Sequence, residues 1–519
     1  MHLHTRVLRN QYHDSVVLML AARELKENEG IIDAAYMMGT DINKDLLQQG
    51  SLLDAEGKTA GANDLIIAVK SEGEQAEVLN LAESLLSAKT NTEQQDAHQI
   101  SSIRSAVHEH PEANMAVISI AGAYAAREAR EALQSGLHVL LFSDNVSLKD
   151  EIALKRFAVR RNLLLMGPGA GTAIINGVGL GFANQVPRGD IGIISAAGTG
   201  LQEVSTLLAK AGLGISQAVG TGGRDLSKAV GGLMFFAALD ALQSDPDTNL
   251  IILISKPPDE DIVQQLIARI QNSQKPIVLC LLGAETPAEL GDNLHFTRTL
   301  EECSLMAQAI HTSSNLDVTA LIKSKDKKLD EKYKLLKRDF TPEQRYIRAL
   351  FSGGTLCYEA QVIWEDLLSE RVYSNAPLKE DYRLTDSAIS QGHTALDLGE
   401  EEFTIGRPHP MIDNELRIQR MIQEASDPET AVILLDVVLG YGAHPDPAGE
   451  LNQAIISIRT DHPNIVWIAS VVGTEGDPQS LSQSSAALQK AGVILCHSNA
   501  QAARLSAYLV ENRSVKETL

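Results

Sequence analysis

Two stretches of the chain repeat the same arrangement, and this repetition limits the possible folds more than any other feature. In each, an aliphatic segment leads into a loop of small residues and then into a helix-like segment. The first loop reads Ser195-Ala-Ala-Gly-Thr-Gly200 and the second reads Ser352-Gly-Gly-Thr355. Near-continuous aliphatic strands alternating with helices are typical of parallel sheets covered on both faces. The pattern therefore predicts an α/β protein with two similar sheet units.

Further strand and helix patterns divide the 519 residues into four predicted domains. Residues 1–87 form a small N-terminal α+β unit, and residues 111–187 form a Rossmann-like domain. The two larger α/β units follow at 189–315 and 344–510. Between them, residues 323–337 are crowded with Lys, Asp and Glu, which indicates a solvated linker or helix.

Composition excludes several classes of function. A net charge of −22 argues against a nucleic-acid partner, which would require clustered Lys and Arg. Apolar stretches such as Ala431–Leu439 are far shorter than the roughly 20 residues that span a bilayer, and Met1–Arg6 lacks the apolar core of a secretion signal. The four cysteines, Cys280, Cys303, Cys357 and Cys496, form no CxxC pair. We therefore expect a cytoplasmic protein with no membrane contact and no metal site.

The two glycine loops are candidate phosphate sites. A strand that turns tightly into a helix exposes unpaired N–H groups at the positive end of the helix dipole, where anions bind. Neither loop is a Walker A motif or a complete GxGxxG, and the glycines could instead only allow close packing. Their repetition favours function, and face-to-face packing would bring both helix N-termini to one anion. The candidate residues are Ser195, Gly198, Thr199, Gly200, Gly353, Gly354 and Thr355.

A third glycine loop, Gly220–Asp225, follows the next strand of the middle unit. Ligands of open α/β sheets bind at the carboxyl ends of strands. Gly222 and Gly223 would let a ligand approach, Arg224 could bind its carboxylate or phosphate, and Asp225 could orient the guanidinium. The alternative is a surface turn with an ion pair. Met166–Thr172 is a similar turn, for which ligand contact and simple chain reversal remain equally open.

The segment Gly406-Arg-Pro-His-Pro-Met-Ile-Asp413 contains the candidate catalytic residues. Prolines on both sides of His409 fix the backbone and reduce the entropy lost in holding an imidazole in place. Arg407, His409 and Asp413 could together provide an anionic substrate with a binding group and a proton donor. The alternative is a structural histidine.

Taken together, these residues resemble the succinyl-CoA synthetase superfamily. Residues 116–167 are similar to the CoA-binding domain of that enzyme's α subunit, 189–282 to its flavodoxin-like ligase domain, and 346–506 to the ligase domain of the β subunit. No ATP-grasp domain is visible. FdrA-type acyl-CoA synthetase-like proteins have this fused arrangement, and the motifs shared with them are Asp14-Ser-Val, Met37-Met-Gly-Thr40, Phe142-Ser-Asp-Asn145, Gly222-Gly-Arg-Asp-Leu226, Ser255-Lys-Pro-Pro258, Gly406–Asp413 and Asp427-Pro428.

The chain departs from these relatives at two places. The superfamily's catalytic histidine lies in Gly-His-Ala-Gly, but Gly283–His295 lacks this motif, so His295 is not expected to be a phosphohistidine. FdrA-type proteins read Gly-Pro-Asp-Cys-Gly-Thr where this chain has Gly167-Pro-Gly-Ala-Gly-Thr172. The first departure argues against nucleotide-driven CoA ligation by the chain alone, and the second argues against a nucleophile in that loop.

The resemblance implies a group-transfer enzyme like the large subunit of an oxamate carbamoyltransferase of allantoin breakdown, which works with small partner subunits. Its ligands would be an acyl phosphate such as carbamoyl phosphate and a carboxylate substrate. Oligomerisation is expected, and CoA binding is possible but not required. Two alternatives remain: an acyl-CoA ligase whose nucleotide-binding domain is a separate polypeptide, and a non-catalytic metabolite-binding subunit.

Overall fold

The structure is a computed structural model with two compact units. One consists of Met1–Ser102 with Ile405–Arg407, and the other consists of Ile103–Thr404 with Pro408–Leu519. The residues described are 2–11, 13, 15–26, 28, 30–50, 52–71, 73–93, 102–287, 290–333, 336, 340–404 and 407–511. Asp14, Gly406 and positions 334, 335 and 337 of the predicted linker lie outside them.

The N-terminal unit is a three-stranded antiparallel sheet with helices, in the order β1-β3-β2. Its elements are β1 (His2–Leu8), α1 (Ser15–Lys26), β2 (Ile31–Met38), α2 (Asp41–Gln49), β3 (Leu65–Ser71) and α3 (Gln75–Glu93). Alternation along β3 explains its central place: Leu65, Ile67 and Val69 pack on α1 and α3, while Ile66 and Ala68 pack on the opposite face.

A small parallel sheet with strand order β4-β5-β6 follows. Its elements are α4 (Ile103–Glu109), β4 (Met115–Ile118), α5 (Gly122–Gln134), β5 (His138–Leu141), α6 (Leu148–Arg160) and β6 (Leu165–Met166). Helix α5 buries Ala125, Ala129, Ala132 and Leu133, a helical spacing whose small side chains allow close approach to the sheet.

The middle sheet has seven strands in the order β13-β12-β11-β9-β10-β7-β8. Its elements are β7 (Thr172–Ile175), β8 (Val178–Gly181), β9 (Arg188–Ser195), α7 (Gly198–Lys210), β10 (Ile215–Gly220), α8 (Leu233–Ser244), β11 (Leu250–Ser255), α9 (Glu260–Ile270), β12 (Ile277–Leu281), β13 (Leu294–Thr297), α10 (Leu300–His311) and α11 (Val318–Tyr333). The hairpin β7–β8 lies within residues 111–187, the range predicted for the Rossmann-like domain. It extends the middle sheet instead, because β7 pairs with β10 in antiparallel orientation.

The last sheet is wholly parallel, with six strands in the order β15-β16-β14-β17-β18-β19. Its elements are β14 (Tyr346–Phe351), α12 (Gly354–Leu367), β15 (Val372–Ser374), β16 (His393–Asp397), α13 (Glu401–Thr404), α14 (Glu415–Ala425), β17 (Thr430–Val438), α15 (Pro447–Asp461), β18 (Val466–Val472), α16 (Leu481–Lys490), β19 (Ile494–Cys496) and α17 (Asn499–Val510). Parallel sheets covered by helices confirm the predicted α/β class. Among the described residues, no helix has the length and apolarity needed to cross a bilayer.

One hydrophobic core joins the middle and last sheets. Leu201 and Val204 of α7 lie in the same buried cluster as Leu356 and Trp364 of α12. The Trp364 indole N–H donates to the Ala503 carbonyl of α17 at 2.8 Å, so this buried indole is also satisfied. The two sheets therefore pack through their equivalent first helices.

Two glutamates at equivalent helix positions connect the middle sheet unit with the last sheet unit. Glu203 of α7 accepts a hydrogen bond from the Asn499 N–H at the start of α17, at 2.9 Å. Glu359 of α12 accepts from the Leu300 N–H at the start of α10, at 2.6 Å, and from the Asn499 amide at 2.8 Å. Each glutamate thus satisfies an N–H group at a helix start of the other unit.

We expect a Glu359→Ala variant to be about 1–3 kcal/mol less stable than wild type, because the Leu300 N–H and the Asn499 amide would stay buried without an acceptor. Urea unfolding of the full chain measures this change. Glu365→Ala on the same helix is the control, since the exposed Glu365–Lys379 pair should contribute less than about 1 kcal/mol. Equal stability of the two variants would show that Glu359 does not hold the units together.

Candidate anion-binding site

The first turns of α7 and α12 meet in space. The Thr355 N–H donates to the Thr199 hydroxyl at 3.3 Å. A Cβ atom on Gly353 would lie 2.8 Å from Thr199 Cγ2, and one on Gly200 would lie 2.9 Å from Thr355 Cγ2, so both positions require glycine. The structure thus brings together the two loops that the sequence nominated for phosphate.

Four N–H groups at this junction are free to bind a ligand. Within the part of the chain that the structure describes, no acceptor bonds to the N–H of Gly198, Thr199, Gly200 or Gly354. They are the orphan donors of two helix N-termini, and they combine with the helix dipoles into a positive region. Ser195 has a different role, because its hydroxyl bonds only to the backbone of Ala197 and shapes the turn.

A carboxylate of the protein already occupies the other donors of the second loop. Asp436, at the C-terminal end of β17, accepts from the Ser352 and Gly353 N–H groups, each at 2.8 Å. It also pairs with Arg417, whose Nη2 lies 2.7 Å away. The Gly353 N–H is therefore not open to phosphate as predicted, and the Thr355 N–H is committed to Thr199. The site is asymmetric. The α7 loop has three N–H groups without an acceptor among the described residues, and the α12 side has only that of Gly354.

Lys256 is a cation at this junction that the sequence did not identify as functional. It follows β11, and its Nζ lies 3.1 Å from the position that a Cβ would take on Gly354. The side chain is partly buried, and no carboxylate among the described residues forms an ion pair with it. Its position at the carboxyl end of a strand, within Ser255-Lys-Pro-Pro258, was the available signal.

Asp397 is a buried carboxylate beside Lys256. It ends β16, is 2% exposed, and its Oδ1 accepts from the Gly399 N–H at 3.0 Å. Its Oδ2 contacts the space beside the Gly354 Cα, where any side chain would collide with it. Burial raises the pKa of Asp397 to about 6, and the nearby Lys256 ammonium opposes this rise.

His409 reaches the site as a neutral hydrogen-bond donor. Its Nδ1 accepts from the Met411 N–H at 3.2 Å, so the neutral ring carries its proton on Nε2. Its ring packs against Phe182 at 5.8 Å, and Nε2 lies 2.8 Å from the Cβ position of Gly399. Burial lowers the pKa of His409 to about 4, so the neutral ring can donate a hydrogen bond at neutral pH and is a weak base. This restricts the proton-handling role expected from the sequence.

The other two residues of this segment that the sequence predicts to be catalytic are both exposed. Asp413 accepts from the Glu415 N–H at 2.8 Å, a contact that stabilises the start of α14. Arg407 is grouped with Met1–Ser102 in the N-terminal unit. Within the second unit, the segment contributes His409 to the site.

The Gly220–Asp225 loop is held in an ionic network. Arg224 pairs with Glu151 at 2.8 Å, and Asp225 pairs with the buried Lys155 at 2.8 Å, so Asp225 does not orient Arg224. Gly222 has φ +88°, and its Cβ position lies 2.5 Å from the Pro168 carbonyl oxygen, which shows that this glycine allows two turns to pack. Gly223 is exposed near the Ala196 carbonyl. This loop connects the small parallel sheet to the middle unit.

No cluster of three or more His, Cys, Asp or Glu in the described ranges is arranged to hold a metal ion.

Comparison with known proteins agrees with this architecture. Residues 350–509 match the CoA-ligase family, and residues 1–102 match the family described as AllF, heavy metal-associated domain. All four cysteines lie outside residues 1–102, so this segment lacks the thiolates of a soft-metal site.

Two curated relatives define the relationship. The succinate–CoA ligase [ADP-forming] α subunit of Methanothermobacter thermautotrophicus is 28% identical over 184 residues, which cover 35% of this chain and 61% of that subunit. The uncharacterized protein YahF of Escherichia coli K12 is 43% identical over 499 residues, covering 94% of this chain and 95% of YahF.

Among solved structures, the apo dinucleotide-forming acetyl-coenzyme A synthetase 1 of Ca. Korarchaeum cryptofilum is 14% identical and covers 76% of this chain and 82% of its own, with a TM-score of 0.29. The fold and the CoA-ligase match define a succinyl-CoA synthetase-like protein. Within that class, the chain belongs to the family of E. coli YahF.

Proposed function

We propose that the chain is an FdrA-type enzyme that transfers an acyl group through an acyl phosphate, with carbamoyl phosphate as the leading substrate. The observation that carries this proposal is the set of free N–H groups at Gly198–Gly200 and Gly354, with Lys256 beside them. Backbone donors and a single ammonium suit a phosphate dianion. They act on it without a covalent bond to the protein.

The geometry supports a direct transfer. The N–H groups and Lys256 would hold the phosphate, and the His409 Nε2–H would donate to the acyl oxygen as negative charge develops there. When a nitrogen nucleophile attacks carbamoyl phosphate, a C–N bond forms, the C–O bond to phosphate breaks, and phosphate leaves with the electron pair. Phe182 and Phe142, whose rings lie 5.3 Å apart, provide an apolar wall beside His409.

The position of His295 supports a mechanism without phosphohistidine. It lies on β13 opposite Val278, five residues before Gly283 along the neighbouring strand. At about 3.3 Å per residue, this separation is on the order of 16 Å along the sheet. His295 therefore lies toward the opposite edge of the sheet from the helix N-termini.

Acyl-CoA ligation with a separate nucleotide-binding subunit is the second candidate function. The CoA-ligase match at residues 350–509 and the succinate–CoA ligase relatives favour it. A non-catalytic metabolite-binding subunit is the third. The transferase and the ligase proposals both include small partner subunits or self-association.

A transferase assay on the purified chain, alone and with proteins encoded beside it, tests the leading proposal. Oxalurate with phosphate, and oxamate with carbamoyl phosphate, are the two directions; succinate or acetate with CoA and acyl phosphate is the comparison. Carbamoyl turnover in both directions is the expected result. Turnover in the CoA reactions but in neither carbamoyl reaction would establish the ligase. Phosphate binding without any turnover would establish the binding subunit.

A further inference from the structure

We infer that Asp397 is the acid–base residue of this site, and that it takes up a proton when the site binds phosphate. The inference rests on the proposed function for its chemical step, but not for its binding step. His409 is the residue that the sequence predicts to handle protons, and its fixed tautomer leaves the role of base to another group.

Hydrogen bonding fixes one carboxylate oxygen of Asp397, and the other oxygen faces the site. Oδ1 accepts from the Gly399 N–H, and the backbone of Asp397 is held on both sides by the Asn375 amide. No described residue donates a hydrogen bond to Oδ2, although the side chain is 98% buried. Oδ2 lies against Gly354 and accepts no hydrogen bond from a described residue, so it faces a helix N-terminus that carries a free N–H.

Several charged or titratable groups surround this carboxyl. Lys256 approaches from the loop after β11, Asp436 from β17, and the exposed Glu400 from the loop after β16. Cys357 of α12 and the His409 ring also lie close to it. Lys256 is the only cation among these, so a bound phosphate would share with Asp397 the one ammonium that favours its charged form.

Competition for Lys256 links proton uptake to anion binding. A phosphate dianion at the helix N-termini adds negative charge next to Oδ2, and it draws the Lys256 ammonium away from the carboxylate. Both effects disfavour an ionised Asp397. Protonation removes the repulsion and gives Oδ2 a hydrogen to donate to the ligand.

The proton then has a chemical use in the direction in which phosphate attacks. A phosphate oxygen bonds to the carbamoyl carbon, the C–N bond breaks, and the leaving nitrogen takes the proton from Asp397. The product, the carbamoyl phosphate monoanion, keeps the hydrogen that the attacking phosphate dianion carried. Asp397 becomes a carboxylate beside Lys256. In the reverse direction Asp397 accepts the proton from the attacking nitrogen.

Calorimetry of inorganic phosphate binding tests the inference without requiring turnover. Binding is measured in two buffers of different ionisation enthalpy, for wild type, Asp397→Asn and the control Glu400→Gln, at pH 5 and pH 7. Because burial raises the pKa of Asp397 to about 6, wild type must protonate it at pH 7, and Asp397→Asn should bind phosphate about tenfold more tightly there. The advantage should vanish at pH 5, and only Asp397→Asn should take up about one proton fewer.

Tighter phosphate binding by Asp397→Asn, combined with turnover reduced by about a hundredfold, separates an acid–base role from a structural one. Equal proton uptake in wild type and Asp397→Asn would overturn the inference and leave the proposed transferase standing. Absence of phosphate binding in every protein would instead contradict the proposed function. If Asp397→Asn fails to fold, the number of protons that wild type takes up on binding phosphate decides. The same uptake at pH 5 and pH 7 contradicts the inference, and greater uptake at pH 7 supports it.

Discussion

Replacing Asp436 with Ala should lower the free energy of unfolding by about 3–5 kcal/mol, the largest stability effect we expect in the chain. Asp436 is fully buried and pairs with Arg417, which is 2% exposed. Removing the carboxylate leaves a buried guanidinium without its counter-charge. It also leaves the N–H groups of Ser352 and Gly353 without their acceptor.

Chemical denaturation followed by circular dichroism measures this loss. The control is Asp413→Ala, which removes an exposed carboxylate near the start of α14 and should cost at most about 1 kcal/mol. A loss in Asp436→Ala no larger than in the control would show that this carboxylate does not organise the second glycine loop.

The Lys256→Met variant should bind phosphate about 10- to 100-fold more weakly, and its transferase turnover should fall by about 10²–10³-fold. Methionine keeps the length and packing of the lysine stem while removing the charge. Because Lys256 has no described ion-pair partner, little stability should be lost. Loss of binding with retained stability would therefore show that this ammonium serves a ligand.

Lys228→Met is the matched control for this variant. Lys228 is exposed and pairs with Asp261 at 2.8 Å on the surface, so phosphate affinity and turnover should equal those of wild type. If Lys256→Met behaved like Lys228→Met, the phosphate would have to bind elsewhere.

Much of the fold could be predicted from local patterns in the sequence. Mostly aliphatic runs such as Ala431–Leu439 and the small-residue loops before α7 and α12 specify strand, turn and helix within a few neighbouring residues. Membership of a sheet is different, because it depends on hydrogen bonding between distant strands. The hairpin β7–β8 follows the Rossmann-like segment in sequence, but Ile174 of β7 pairs with Ala218 of β10, 44 residues later in the chain.

The candidate site could be predicted only where a single segment carries it. The N–H groups of Gly198–Gly200 follow from the loop itself, whereas Lys256 and Asp397 come from β11 and β16 and meet only through packing of the two sheets. The sequence predicts a ligand for Arg224 and Asp225 because it does not show their partners. These partners, Glu151 and Lys155, lie on α6, far from the loop along the chain. Long-range ion pairs of this kind leave no local pattern.

Phosphate binding to a Gly198→Pro variant tests the central claim most directly. Gly198 is the first residue of α7, where proline is well tolerated, and Ala197 before it has the extended conformation that proline requires. The nearest atom to a Cβ on Gly198 is the Thr172 hydroxyl at 4.0 Å, so a Cβ added there meets no clash. The substitution therefore removes one backbone N–H and leaves the fold in place.

Gly198→Ala adds a side chain but keeps the N–H, and it is the control. If α7 binds phosphate through its first turn, calorimetry should give an affinity about tenfold or more lower for Gly198→Pro and close to wild type for Gly198→Ala. Equal affinities for phosphate in the proline variant, the alanine variant and wild type would contradict the site.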